Sequence, residues 1–293
     1  MKQVLGDRKT IAILLGPALL VYTLVILVPV VWSFGYTFFK GNALEGFEFN
    51  GINNFTRLFT DPDVQAALGF TVKYALLLTI LQVVFGYGLA LLYTFVLKKS
   101  SAIIRTLVFF PVVVPTVAIA LLYQKLFQSA PKDGLVNELL VNVGLGSVDW
   151  LGSGTTAFIV IVIMDVWRSM GFYGVLLYTG LLDIPEDIIE SARIDGARGF
   201  SLFKNIVLPM SLPILYSSII FSINGTIKVF DSVFALTGGG PGNETTPLTL
   251  YMYRTAFAFS DYGYGSTIAL VLSIMCLIVT ALIFRGARRD NTI

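Results

Sequence analysis

The sequence has no histidine and a single cysteine, Cys276. The first absence removes histidine-based catalytic triads, most zinc sites and imidazole proton relays. The second removes an internal disulfide and any thiolate metal cluster. Charge is also scarce, at 13% of 293 residues, where an ordinary soluble domain carries about 25%. A net charge of +2 leaves no basic face large enough to follow phosphates, so a nucleic-acid partner is excluded. No glycine-rich loop is followed by Lys-Ser/Thr, so the chain has no means of holding a nucleotide for hydrolysis. Gly238 to Gly242 has the glycines but neither the preceding strand nor the lysine, and reads as a flexible loop. What remains is apolar: hydrophobic residues make up 56% and mean hydropathy is +0.81. A soluble fold of this size cannot bury such a surplus. The expectation is an all-α polytopic membrane protein.

A membrane-crossing helix needs roughly 20 mostly apolar residues. Five uncharged runs qualify: Thr10–Phe39, Ala75–Leu97, Thr106–Gln124, Asn205–Ile227 and Gly265–Phe284. A sixth, Trp150–Leu182, is broken only by Asp165 and Arg168. Six transmembrane helices follow. The first run ends in no small-x-small cleavage site and reads as a retained helix that continues past the membrane. With the N-terminus inside, one side holds twelve of the 20 Lys and Arg: Lys2, Arg8, Lys9, Lys98, Lys99, Arg105, Arg193, Arg198, Lys204, Arg285, Arg288 and Arg289. The other side and its span ends hold six. That bias places both termini in the cytoplasm.

The cytoplasmic segment 183–213 reads DIPEDIIESARIDGARGFSLFKNIVLPMSLP. Pro185 suits a first helical position, and Glu186 and Asp187 fall where a helix dipole favours acids. Ile188, Ile189, Ala192 and Ile194 supply an apolar set, and Gly196 and Gly199 end or bend the helix. A short amphipathic helix therefore lies between two spans. It either rests on the headgroups or docks into a cytosolic partner, and three acids suit an anionic leaflet poorly.

Glu190-Ser191-Ala192, Gly196 after three residues, then Ile206, Leu208 and Pro209 after nine more, resemble the EAA signature of ABC-importer permeases. The pattern is E-A-A-x3-G-x9-I-x-L-P, and only Ser191 departs from it. Asp195-Gly196-Ala197 and the Asp183-Ile184-Pro185 lead-in resemble its carbohydrate-uptake branch. Phe230-Asp231, Leu236-Thr237-Gly238-Gly239-Gly240-Pro241 and Tyr251 to Phe257 are similar to MalF/UgpA-type subunits rather than MalG-type ones. Phe110-Pro111, Pro115 and Trp167 fit as well.

This resemblance implies a type I importer (MetI-like) fold, with an N-terminal tail, first helix and outer loop over 1–65, a core over 66–285 and a cytoplasmic tail over 286–293. It implies a multi-pass protein of the bacterial inner membrane. Its partners would be a MalG-type permease, a cytosolic ATPase dimer, an extracytoplasmic solute-binding protein, a sugar or oligosaccharide, and lipid. The chain would be no enzyme and would bind no cofactor or metal, ATP and Mg belonging to the ATPase. Glu190, Ser191, Ala192, Asp195, Gly196, Ile206, Leu208 and Pro209 would couple to that ATPase. The path would be lined by Val112, Thr116, Arg168, Ser169, Phe172, Ser222, Thr226 and Val229.

The residues themselves leave two readings open. Asp165 with Arg168, and Lys228 with Asp231, are ionisable neighbours three apart. The pairs either neutralise themselves locally or through a cross-helix lattice, such as Arg168 with Asp231, or they wall a polar path. The hydroxyls of Thr116, Ser169, Ser222 and Thr226 either meet sugar hydroxyls or bond their own helix backbone. Phe172 can stack on a pyranose face. Pro111 and Pro115 would each break a helical turn. A stand-alone secondary transporter or channel has no use for the EAA spacing, and an intramembrane enzyme would lack a catalytic constellation.

Overall fold

The computed structural model describes residues 8–97, 100–129 and 132–290. Lys2, Lys98 and Lys99 lie outside them. The described chain is helical almost throughout. Helices α1 (Arg8–Tyr22) and α2 (Val28–Tyr36) are joined by a π-helical turn, Thr23–Leu27, into one long rod. A hairpin follows, β1 (Phe39–Asn42) and β2 (Gly46–Phe49), then α3 (Asn53–Thr60) and α4 (Pro62–Leu91). Next come α5 (Ser101–Val113), α6 (Thr116–Leu126), α7 (Leu135–Asn142) and α8 (Gly154–Leu182). The remainder is α9 (Glu186–Ile194), α10 (Phe200–Leu202), α11 (Leu208–Ile227), α12 (Asp231–Leu236), α13 (Leu248–Tyr253) and α14 (Tyr262–Asp290). Further π-helical turns extend α4 at Leu92–Leu97, lead into α11 at Phe203–Val207 and follow α13 at Arg254–Ala258.

Among the described residues five helices are long and apolar enough to cross a membrane, and a bent pair supplies a sixth crossing. The fold is thus an all-α polytopic one, with the small hairpin as an addition that the sequence reading did not contain. The first span, Thr10–Tyr36, has an apolar surface that is exposed all round its most hydrophobic stretch. It therefore meets lipid or another chain rather than its own core.

The bent pair corrects the expectation of two proline breaks. Pro111 lies inside α5 without ending it. The single break is at Val114-Pro115, where α5 and α6 meet at 93°. Val114 is extended (ψ 135°) because the ring of a following proline disfavours the helical conformation. Pro115 then caps α6, and its carbonyl accepts from Ala118 N and Ile119 N.

The chain forms two compact units. One runs to Pro62 and includes Met252–Val271. It contains the antiparallel hairpin, paired Phe39 to Phe49 and Asn42 to Gly46. Lys40 Nζ and Glu48 Oε2 face each other across it at 2.8 Å. Their hydrogen bond, and then their charges, raise the lysine pKa and lower the glutamate's.

The other unit holds Asp63–Tyr251 and the chain from Leu272 onward. Its core packs Tyr74 and Leu78 of α4, Ile161 and Met164 of α8, and Val233 and Leu236 of α12. In lipid, helices associate through close packing rather than water exclusion, and small residues permit it. A Cβ at Gly171 would stand 2.2 Å from the Val108 carbonyl oxygen, and one at Gly86 would stand 2.6 Å from Tyr173 Cβ. The first fixes α5 on α8 and the second fixes α4 on α8. Those two crossings set the walls of the cleft described next.

Candidate functional site

Three helices and one break in a helix enclose a cleft of about 320 Å³. α4 contributes Tyr74 and Gln82, the α5–α6 break contributes Val112 and Thr116, α8 contributes Arg168, Ser169 and Phe172, and the α11–α12 region contributes Ser222, Thr226 and Val229. All eight residues that the sequence nominated for a path line this one cleft. Tyr74, Gln82, Tyr173 and Ser232 also line it without having been expected there, and so do Lys228 and Asp231, for which a place in the path wall was one open reading.

Asp165 lies beneath the lining, 1% exposed. Its two carboxylate oxygens are both engaged: Tyr74 Oη donates to Oδ2 at 2.6 Å, and Arg168 Nε donates to Oδ1 at 3.3 Å. An isolated carboxylate at this depth is costly unless paired and hydrogen-bonded, and here it is both. Arg168 is itself partly exposed to the cleft. The Asp165 and Arg168 pair is therefore mutual neutralisation at the wall of a cleft, and both open readings meet in it.

The second pair behaves differently. α11 ends at Ile227, and Asp231 opens α12. Lys228 and Asp231 are hence not on one continuous helix, and among the described residues no ion pair joins them. Both are exposed along the cleft. Of the open readings, local pairing does not hold here because the helix stops before the lysine, and both residues line the cleft wall.

The hydroxyls form a circuit. Ser169 Oγ donates to the Asp165 carbonyl and accepts from Gln82 Nε2 at 2.8 Å. Ser222 Oγ donates to Gln82 Oε1 at 2.6 Å and lies 3.1 Å from Thr79 Oγ1. Thr226 Oγ1 donates back to the carbonyls of Ser222 and Ile223, and Thr79 Oγ1 is 3.3 Å from it. The protons of Ser169, Ser222 and Thr226 are thus spent inside the protein, and the three residues are buried, at 9%, 0% and 5% exposure. Thr116 is half-buried at the lip, Phe172 is partly exposed, and Val112 and Val229 bring only shape. Gln82 joins α8 to α11. The signal that could have found it is spacing: Tyr74, Leu78 and Gln82 recur every four residues and share one face of α4.

The segment after α8 has a different character. α9 starts behind Pro185, whose extended backbone (ψ 134°) makes it the cap rather than the first helical residue, with Glu186 and Asp187 in the first turn. Ala192 is buried against Leu181, Ile184, Leu202 and Val207. Glu190, Ser191, Asp195 and Gly196 are exposed, as is Pro209, while Ile206 and Leu208 are half-buried. Ile194 is 85% exposed and does not belong to the inward apolar set, whereas Ile188 is 37% exposed. Asp195 N bonds the Ser191 carbonyl, Gly196 N that of Arg193 and Ala197 N that of Ala192, which closes the helix C-terminus. Gly196 carries this turn at φ +90°, a conformation glycine enters without penalty. Leu208 then begins α11 with Pro209 in its first turn.

The family model for the inner membrane component of binding-protein-dependent transport systems matches residues 82–289. The chain belongs to that family. As a transport permease component it shares sequence with permeases of known naming. It is 32% identical to the trehalose/maltose transport system permease protein MalF of Thermococcus litoralis, over 96% of this chain and 95% of that protein. It is 31% identical to the sulfoquinovosyl glycerol transport system permease protein SmoG of Agrobacterium fabrum, over 98% and 93%. It is 30% identical to the lactose transport system permease protein LacF of Rhizobium radiobacter, over 93% and 92%. Its fold matches a chain of a bacterial alginate ABC transporter solved with a periplasmic protein carrying an alginate pentasaccharide. The TM-score is 0.85 at 20% identity, covering 98% of this chain and 96% of that one. This last likeness is one of fold.

Proposed function

We propose that this permease component forms half of the path of an ATP-driven importer for sugars or oligosaccharides. The observation that carries the reading is the cleft. It combines the exposed carboxylate of Asp231, the partly exposed guanidinium of Arg168 and the ring of Phe172 in one cavity. A polyhydroxylated solute has donors for the first, acceptors for the second and a C–H face for the third. The sugar names borne by three similar permeases support the same class. A second, MalG-type permease supplies the other half of the path. An extracytoplasmic binding protein delivers the solute. A cytosolic ATPase dimer, holding ATP and Mg, drives the cycle, and this chain holds neither.

In this reading α9 is the coupling element. Glu190, Ser191, Asp195 and Gly196 present an exposed surface to the ATPase, Ala192 anchors the helix inward, and Ile206, Leu208 and Pro209 carry its displacement into α11. The charge bias across the spans supports cytoplasmic termini at both ends.

The test is reconstitution. Labelled neutral disaccharides and oligosaccharides should enter proteoliposomes only when this chain, the second permease, the ATPase and the loaded binding protein are all present. The chain alone should show neither uptake nor ATPase activity. Sugar flux down its gradient through the chain alone would replace this reading with that of a channel.

A further inference from the structure

Of the residues that line the cleft, three carry charge: Arg168, Lys228 and Asp231. Arg168 is compensated from below by buried Asp165, whose Oδ1 accepts from its Nε at 3.3 Å. Lys228 and Asp231 have no such arrangement. Both are exposed along the cleft, and among the described residues no ion pair joins either of them to another group.

Backbone geometry, and not side-chain pairing, places these two charges. Lys228 follows the last residue of α11 with φ −95° and ψ 20°, and its N–H donates to the Thr226 carbonyl. Val229 N donates to the same carbonyl at 3.2 Å. Phe230, at φ −141° and ψ −62°, then caps α12, and Asp231 is the first residue of that helix. Thr249 pins the break from another element, since its Oγ1 donates to the Val229 carbonyl. Gln124 Nε2 of α6 holds the far end of α12 through the carbonyls of Ala235 and Leu236, at 3.0 and 2.8 Å. Val229 and Val233 are buried in the core. None of these contacts uses the ammonium of Lys228 or the carboxylate of Asp231. Ionisable groups placed inside a membrane bundle mark solute pathways, and these two have no structural bond to explain them.

With Asp165, four charges belong to this half of the cleft, two of each sign. Three of them face the solute, and two of those three are cations. Asp231 is therefore the group that keeps the exposed wall from attracting anions. We propose that Lys228 and Asp231 are specificity-determining residues: their balance suits the cleft to uncharged polyhydroxylated solutes, and Asp231 turns away sugars that carry an acidic group. An acidic sugar beside Asp231 meets like charge, and repulsion built against the wrong solute is a device of specificity. The inference rests on the sugar-importer reading and adds to it the net charge of the solute. In that reading the second permease brings charges of its own to the path. They stay constant when this chain alone is varied, so the sign of each shift below belongs to Lys228 and Asp231.

The test uses the complex of this chain with its second permease and ATPase in nanodiscs, without a binding protein, so that the cleft alone selects. Saturation-transfer NMR titrations give the Kd of maltotriose and of the same trisaccharide oxidised to a single terminal uronate. The unsubstituted complex should favour the neutral sugar. Asp231→Asn should move the ratio of the two Kd values toward the uronate by about fivefold or more, the effect of one unit charge nearby in a partly solvated cleft. Lys228→Gln should move it by a similar factor the other way. The double variant should return to the original ratio, and added salt should shrink both shifts. A role for Asp231 confined to starting α12 would change both Kd values together and leave their ratio alone, and that result overturns the proposal. So does a preference of the unsubstituted complex for the uronate. If neither sugar bound to any form, the cleft would be lost as a sugar site and this inference would fall with it, whereas binding of both at an unchanged ratio overturns the charge assignment alone.

Discussion

The cleft and the coupling loop belong to the same unit and are built on opposite principles. In the cleft the buried polar side chains are partnered: Tyr74, Asp165, Arg168, Ser169, Gln82, Ser222, Thr79 and Thr226 form one connected set of hydrogen bonds. In the loop the named polar side chains Glu190, Ser191 and Asp195 are exposed, and one buried alanine ties α9 to the rest. A network buried in low dielectric is costly to leave half-satisfied. A surface awaiting a partner must leave its groups open. A substitution should thus cost the cleft in assembly and the loop in coupling.

The strongest way to break this contrast is Arg168→Met. It strands the Asp165 carboxylate, and losing one member of a buried pair costs about 3–5 kcal/mol. The yield of folded complex should fall sharply. Adding Asp165→Asn should restore it, while adding Asp231→Asn should not, because Asp231 makes no pair with Arg168. Full yield with lost uptake in the single variant would make Arg168 a solute-binding group instead.

Gln82→Leu should rank second. It removes the partner of two buried hydroxyls, at about 1–3 kcal/mol for each group left unsatisfied. Thermal unfolding in detergent should shift down, and the KM for uptake should rise as Ser169 and Ser222 lose their fixed directions. An unchanged melting temperature would mean that α4 does not hold the cleft.

Gly196→Asp should cost the fold about 1 kcal/mol or more, locally, through its positive φ. A Cβ there meets nothing within 4 Å, so the effect is conformational and not steric. Yield should stay close to normal while uptake disappears. Gly196→Asn should be milder, since asparagine enters this region more readily. Normal uptake in the aspartate variant would remove the loop from coupling. Ile194→Ser closes the series. An exposed substitution of this kind changes stability by under about 0.5 kcal/mol, so melting should not move, while retention of the ATPase on purification should weaken.

The spans were legible because apolar run length is a local property, and the short helix α9 with its closing glycine because its spacing is. Glu190, Gly196 and Pro209 sit in sequence where a motif can be read without knowing what they touch. The path residues Ser169, Ser222 and Thr226 were legible as positions, but not as hydrogen bonds. Ser169 and Thr226 donate to carbonyls of their own helices, but the Ser222 proton goes to Gln82 and Thr79, about 140 residues away. The hairpin escaped notice because four-residue strands give too few alternations to register. Lys228 and Asp231 looked paired because an unbroken helix was assumed. The helix ends at Ile227, and no composition rule marks that point.

The π-helical turn at Phe203–Val207 stands between the coupling loop and the cleft-lining part of α11. Each such turn holds one residue more than an α-helical turn. It therefore acts as a phase shift of roughly 100°, the angle one residue occupies around a helix. Ser222 and Thr226, which meet Gln82 and Thr79, lie beyond that offset on α11. Were the segment to tighten into regular α-helix, the loop and the cleft would turn against each other by the same angle, about a quarter of a revolution. The angle at which the chain after α9 meets the cleft-lining part of α11 is therefore set by a single residue of winding in that turn.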